Sequence, residues 1–209
     1  MVNVIQIGPM GFDSNYSYLI YGSQNHALLI DATGSTNAIE KEIRENDLTV
    51  VAQVITHSHF DHVERVGYFQ EKDVSLIPFE QLKLEPGFMV DNFLVKVIFT
   101  LGHSVDSVCF LIENNLFTGD TLFIKGIGRT DLEGGSETEM EKSLEKLSEL
   151  DLKIIVWPGH NYGGSSSTLK EALVNSGVKP SENGLKKIDE KKDEYEKQFQ
   201  TDSEDLLKK

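Results

Sequence analysis

The 209-residue chain is predicted to adopt an α/β fold. Three observations carry the prediction. Short apolar runs rich in β-branched and aromatic residues recur up to Trp157. Amphipathic stretches of helical period lie between some of them. Five of the six histidines stand directly behind one of these runs, where rigid strands hold the loops at their ends. The length suits one domain, or one domain with a tail, at the usual ~150 residues per domain. With 39% hydrophobic residues the chain can bury a core.

Taken in order, Val4, Ile5 and Ile7 predict a short strand that stops at Gly8-Pro9. Asn15 to Tyr21 is aromatic and β-branched, as strands prefer. The turn cluster Gly22-Ser23-Gln24-Asn25 joins it to a second strand, Ala27 to Ile30, in a hairpin ended by Asp31. Ser35 or Thr36 caps a helix over Asn37 to Glu45, with Ile39 and Ile43 on one face. Val50 to Thr56 carries no charge and reads as a buried strand. His57 to His62 follow as a loop, Val63 to Phe69 as a short helix, and Val74 to Pro78 as a strand. Strands are expected over Phe93 to Leu101, Ser107 to Ile112 and Leu116 to Thr118, with a turn at Asn114-Asn115. Thr138 to Leu150 is an amphipathic helix with Met140, Leu144 and Leu147 on one side. Ile154 to Trp157 is a buried strand stopped by Pro158-Gly159. A flexible loop, Gly163 to Ser167, leads to two polar helices near 168–175 and 184–199 and a charged, frayed end.

Composition narrows the function. Twenty basic against 34 acidic residues give a formal charge of −14, which repels phosphate backbones and anionic headgroups. Nucleic acid and membrane are therefore not expected partners. No apolar run reaches the ~18 residues a bilayer span needs, and the start shows no basic segment followed by an apolar one. The single cysteine, Cys109, allows no internal disulfide and reads as a small core residue. A cytoplasmic protein is expected, with self-association left open.

The chemistry concentrates in Thr56-His57-Ser58-His59-Phe60-Asp61-His62. In an extended stretch His57 and His59 point the same way, and a bend at Phe60 sends Asp61 and His62 to a neighbouring position. One loop then offers ligands to two adjacent ions; imidazole suits zinc, iron and manganese, and carboxylate adds a harder donor. His103 (in Leu101-Gly102-His103-Ser104), Asp120 (in Thr118-Gly119-Asp120-Thr121) and His160 (in Trp157-Pro158-Gly159-His160) each follow an apolar run and a glycine. Alone each is a weak signal. Together they read as ligands brought to one end of a sheet.

The ordered segments THSHFDH, LGHS, FTGD and PGH resemble the metallo-β-lactamase-fold superfamily over about residues 1 to 165. The resemblance implies a four-layered αβ/βα sandwich with metals at one edge. It implies a first site of His57, His59 and His103, a second of Asp61, His62 and His160, and Asp120 bridging both. Residues 1–165 would form the catalytic domain and 166–209 a C-terminal helical extension of it. Where the family has small residues after the histidine box, this chain has Val63-Glu64-Arg65-Val66-Gly67, which places Glu64 and Arg65 near the metals.

Gly126-Ile127-Gly128-Arg129-Thr130-Asp131 and His160-Asn161-Tyr162 are similar to segments of the glyoxalase II-like and persulfide dioxygenase-like branches. That implies two divalent ions, zinc first, with iron or manganese as alternatives. It also implies hydrolysis of a small thioester, hydroxyacylglutathione being the branch's substrate, by a metal-bound hydroxide that Asp61 orients and Asp120 helps hold. Arg129 would meet a substrate carboxylate, or order its own loop through Asp131; Tyr162 would hydrogen-bond to or pack on the thiol portion, or pack on the tail. The alternative is a persulfide dioxygenase with one iron on His57, His103 and Asp120. A non-catalytic metal-binding module is the third reading.

Overall fold

The computed structural model describes residues 1–11 and 13–181. The elements run β1 (Asn3–Met10), β2 (Asn15–Tyr21), β3 (His26–Ile30), α1 (Thr36–Glu45), β4 (Thr49–Val54), α2 (Phe60–Val63), α3 (Val66–Gln70), β5 (Ser75–Leu76), α4 (Phe79–Leu84), β6 (Gly87–Val90), β7 (Phe93–Phe99), β8 (Val108–Ile112), β9 (Asn115–Gly119), α5 (Glu137–Ser148), β10 (Ile155–Pro158), β11 (Ser167–Thr168) and α6 (Leu169–Asn175). They build a five-stranded sheet, β1-β2-β3-β4-β5, and a six-stranded sheet, β11-β10-β9-β8-β7-β6.

Strand periodicity explains the layering. Along β2 and β3, Tyr18, Ile20, Leu28 and Ile30 face one way and Leu19, Ala27 and Leu29 the other. The first set meets Val95, Val97, Phe110, Ile112 and Phe117 of the second sheet. The second set packs on Ile39 of α1 and on Val66 and Phe69 of α3. In β8, Cys109 and Leu111 turn away from the inter-sheet core toward Met140, Leu144 and Leu147 of α5 and Leu169, Ala172 and Leu173 of α6. Helix, sheet, sheet, helix: the chain folds as the expected four-layered αβ/βα sandwich. Burial on both faces is why β3 and β8 read as apolar runs and why β2 carries no charge.

Most elements stand where the sequence places them, including the Ser35 cap of α1, whose hydroxyl accepts from the Ala38 amide. The differences have local causes. β1 continues through Gly8-Pro9 to Met10 across a register shift; it is an edge strand, where proline interrupts no ladder on its free side. The loop expected from His57 to His62 turns helical at Phe60, and the single helix expected over Val63 to Phe69 is two, α2 and α3, broken at Glu64-Arg65. Arg65 there is drawn aside, donating its backbone amide to Ala32 and its Nε to the Gly34 carbonyl at 2.6 Å. The strand expected over Val74 to Pro78 shrinks to Ser75–Leu76 at the sheet edge. α4 is a further helix, capped against Pro78 and burying Leu82. The helix expected near 184–199 and the frayed end lie outside the described residues.

Candidate metal centre

Five chain segments end at one rim of the sandwich. Asp31 follows β3, the histidine box follows β4, His103 lies in the β7–β8 connection, Asp120 follows β9 and His160 follows β10. The two sheets are stitched there by the Asn15–His160 bridge and by the Tyr16 amide donating to the Gly159 carbonyl at 2.9 Å. All seven residues proposed from the sequence as ligands meet at this rim.

Two groups of donors form. His57 Nε2 lies 3.0 Å from His59 Nδ1, which lies 2.9 Å from His103 Nε2. His62 Nε2 lies 3.2 Å from His160 Nε2, with Asp61 Oδ2 3.4 Å from the latter. Asp120 stands between: Oδ1 is 3.2 Å from His62 Nε2, and Oδ2 is 3.2 Å from His160 Nε2 and 3.5 Å from His103 Nε2. The sets His57-His59-His103, His57-His62-Asp120 and Asp61-His62-His160 each bring their ligand atoms within 4.8 Å of one another.

The outward nitrogens explain which atoms turn inward. His103 Nδ1 donates to the Arg129 carbonyl at 2.8 Å and His160 Nδ1 to the Asp13 carbonyl at 2.7 Å. His62 Nδ1 donates to Asp31 Oδ2 at 2.9 Å. Thr56 Oγ1 gives its proton to Asp31 at 2.7 Å and so accepts from His57 Nδ1 at 3.2 Å. A carbonyl or carboxylate can only accept, so each of these rings is pinned with Nε2 toward the centre. Asp31 also accepts from the Thr56 amide at 2.7 Å, making it the hub of the inner side.

The charges follow. Burial pushes the His57 pKa well below its ordinary value, so that ring is neutral, the form that ligates a cation. Burial also lowers His59. Burial opposes ionisation of Asp120, yet the imidazoles of His62 and His160 hold its pKa well below the carboxylate range. His62 is likewise disfavoured as a cation by burial, but Asp120 and Asp31 raise it well above its usual value. The second group thus attracts positive charge, while the first presents three converging nitrogens. Asp120 Oδ1 is buried with no hydrogen-bond partner, as expected of an oxygen reserved for a cation. Residue, geometry and charge fit divalent ions with mixed imidazole and carboxylate ligands. Gly159 makes the convergence sterically feasible, because a Cβ there would sit 2.5 Å from Asp120 Oδ1 and 2.8 Å from His62 Cε1.

The centre opens into a cleft of about 730 Å³ lined by Phe60, Phe123, Lys125, Ile127, Arg129 and Tyr162 among others. Glu64 and Arg65 do not line it. They bind each other at 2.8 Å and turn toward Gly34 in a neighbouring depression. Arg129 lines the cleft with its guanidinium held by both oxygens of Asp131, at 2.7 and 2.8 Å. Tyr162 stacks on His160 with centroids 5.1 Å apart, and its hydroxyl donates to Asp13. Cys109 lies in the core, away from the centre. Sequence reasoning missed three supports. Asp31 reads from sequence only as a strand end. Asn15 Nδ2 donates to Asp61 Oδ2 at 3.0 Å and to the Asp61 carbonyl at 3.1 Å, and Thr33 Oγ1 donates to that carbonyl at 2.5 Å. A carboxylate immediately behind four buried apolar residues was the available signal for Asp31.

Sandwich and donor cluster together define a metal-dependent hydrolase of the αβ/βα type. The sequence profile described as Metallo-beta-lactamase superfamily matches residues 10–74 and 72–160, and the chain belongs to that superfamily. It is 30% identical over 182 residues to the probable polyketide biosynthesis zinc-dependent hydrolase BaeB of Bacillus velezensis, covering 79% of this chain and 81% of that one. It is 33% identical over 174 residues to the hydroxyacylglutathione hydrolase of Photobacterium profundum, covering 78% and 67%. The structure of TTHA1623 in a di-iron-bound form superposes with a TM-score of 0.70 at 25% identity, over 82% of this chain and 98% of that one. No helix among the described residues is long and apolar enough to cross a membrane.

Proposed function

We propose that the protein hydrolyses a small thioester to a carboxylic acid and a thiol. Two divalent ions, zinc in the first place, would be held by His57, His59 and His103 and by Asp61, His62 and His160, with Asp120 shared. The observation that carries this reading is the double donor set: the second group, Asp61-His62-His160, offers a second ion three ligand atoms within 4.8 Å of one another. When bound, such a pair polarises a carbonyl and lowers the pKa of water from 15.7 to about 7.

The chain's own residues supply the rest. Asp61, held through Oδ2 and its carbonyl by Asn15, orients the attacking water, whose proton ends on the leaving thiolate. Asp120 keeps the centre from carrying excess positive charge. The ring of Tyr162, fixed by Asp13 and stacked on His160, offers the thiol portion a flat wall. Arg129 orients His103 through its carbonyl; its guanidinium reaches substrate only by leaving Asp131. The hydroxyacylglutathione hydrolase relative supports thioester chemistry, and the zinc-dependent relative supports the metal. We read residues 166–181, the described part of the segment expected over 166–209, as an extension of the catalytic domain.

Elemental analysis of protein purified without added metal, followed by thioester and persulfide assays on that preparation, tests the reading. Two divalent ions per chain with thioester turnover are expected. One iron per chain with oxygen uptake on a persulfide overturns it in favour of the His57-His103-Asp120 centre. Bound metal with neither activity leaves a binding module.

A further inference from the structure

The cleft has two ends. At the His103 end lie Gly128 and Arg129, whose carbonyl takes the His103 proton. At the His160 end lie Phe123 and Tyr162, with ring centroids 5.8 and 5.1 Å from His160. Lys125 belongs to this second end, because its amide donates to the Tyr162 carbonyl at 2.9 Å.

Two Lys or Arg side chains line the cleft, and they differ. Arg129 is committed to Asp131 by two short hydrogen bonds. Lys125 is exposed and has no ion-pair partner among the described residues. Its backbone is nonetheless fixed. It sits at the tip of a small hairpin closed by the Leu122–Ile127 bridge and by the Phe123 amide donating to the Gly126 carbonyl at 3.0 Å. The C-terminal segment clamps that tip: Ser176 Oγ accepts from the Gly126 amide and donates to the Gly126 carbonyl, both at 2.9 Å, and Asn175 Nδ2 donates to the Ile124 carbonyl at 3.3 Å. Gly163, at φ +92°, lets the Lys125 stem lie close, since a Cβ there would be 2.4 Å from Lys125 Cβ. A rigid perch carrying a free ammonium is what recognition of an anion requires. In a chain of charge −14 such a group has a further effect, as a local positive point that draws an anionic substrate to the cleft.

We propose that Lys125 is a specificity-determining residue that binds the anionic group of the leaving thiol, a carboxylate or a phosphate. The inference rests on the thioesterase reading above and names the substrate class of that same cleft. Asn175 of α6 and Ser176 behind it hold the backbone that carries this lysine.

The test compares three thioesters of one acyl group: S-acetylglutathione, acetyl-CoA and the uncharged S-acetyl-N-acetylcysteamine. The readout is kcat/KM for each anionic compound divided by that for the uncharged one. Lys125→Met is expected to lower this ratio about tenfold, Lys125→Glu further, and Lys125→Arg to restore most of it. The ratio of the wild type should fall with added salt, and that of Lys125→Met should not. Whichever anionic compound shows the larger fall identifies carboxylate or phosphate. If that compound is S-acetylglutathione, calorimetric binding of S-hexylglutathione, which cannot be hydrolysed, should weaken in parallel. Turnover of the uncharged thioester with a ratio unmoved by Lys125→Met overturns the inference and leaves the hydrolase reading standing. A wild type that turns over none of the three overturns both.

Discussion

Replacing Asp31 by Asn tests how the inner shell controls the centre. The two side chains have nearly one shape, so packing is kept. The native carboxylate accepts from the Thr56 amide, the Thr56 hydroxyl and His62 Nδ1 at 2.7, 2.7 and 2.9 Å. The amide oxygen can keep only one side of this arrangement. If it stays on the Thr56 amide, the Nδ2 donor faces His62 Nδ1, and the imidazole must move its proton to Nε2. That nitrogen faces His160 and Asp120, so a ligand atom becomes a donor. Loss of such an outer partner costs about 10- to 100-fold in metal affinity, or about 1.4–2.7 kcal/mol at 1.36 kcal/mol per decade. Stability of the metal-free protein should fall as well, by about 1.5–3 kcal/mol for one hydrogen bond to a charged group. A zinc titration against a chromophoric chelator should show one ion weakened by that factor. The other, held by His57, His59 and His103, should change less. Two ions bound by Asp31→Asn with wild-type affinity would refute the account of ring orientation.

Three further outcomes are expected. Asn15→Ala frees Asp61 of two hydrogen bonds; steady-state kinetics should show kcat down by about 10- to 100-fold, with a smaller change in KM. Removing metal with a chelator should lower the Tm. Each ion present at about 1,000 times its Kd contributes about 4 kcal/mol, or roughly 8–16 °C for a chain of this size, and calorimetric scans with and without chelator measure it. Burial pushes the Cys109 thiol from 9.0 to about 11, so a thiol reagent at pH 8 should find no cysteine in the folded protein and one in denaturant. The same shift has a pH sign: between about 9 and 11 the unfolded chain loses this proton and the folded one keeps it. Its stabilising contribution is complete below pH 9 and lost as pH rises toward 11, which urea melts across that range would record.

Much of this architecture is legible in one sequence because its strands are buried on both faces. Asn15–Tyr21 and Val108–Ile112 need no alternation to be recognised, and the runs of β4, β9 and β10 stop just before the histidine box, Asp120 and His160. The histidine box is equally legible, since His57 and His59 two apart on an extended stretch share a direction. What escaped detection was polar and long-range. Asn15 is separated from Asp61 by 46 residues and Asp31 from His62 by 31, so no local pattern announces either contact. α4 was missed because its six residues bury only Leu82 and show no helical stripe.

Local chemistry therefore settles which residue types stand at strand ends and in what order, because side-chain direction repeats over two or four positions. Pairing across the rim belongs to the tertiary structure: His59 meets His103, His62 meets His160, and Arg129 is spent on Asp131 while Lys125 is left free. Those contacts depend on how two twisted sheets register against each other, and that register is a property of the packed cores.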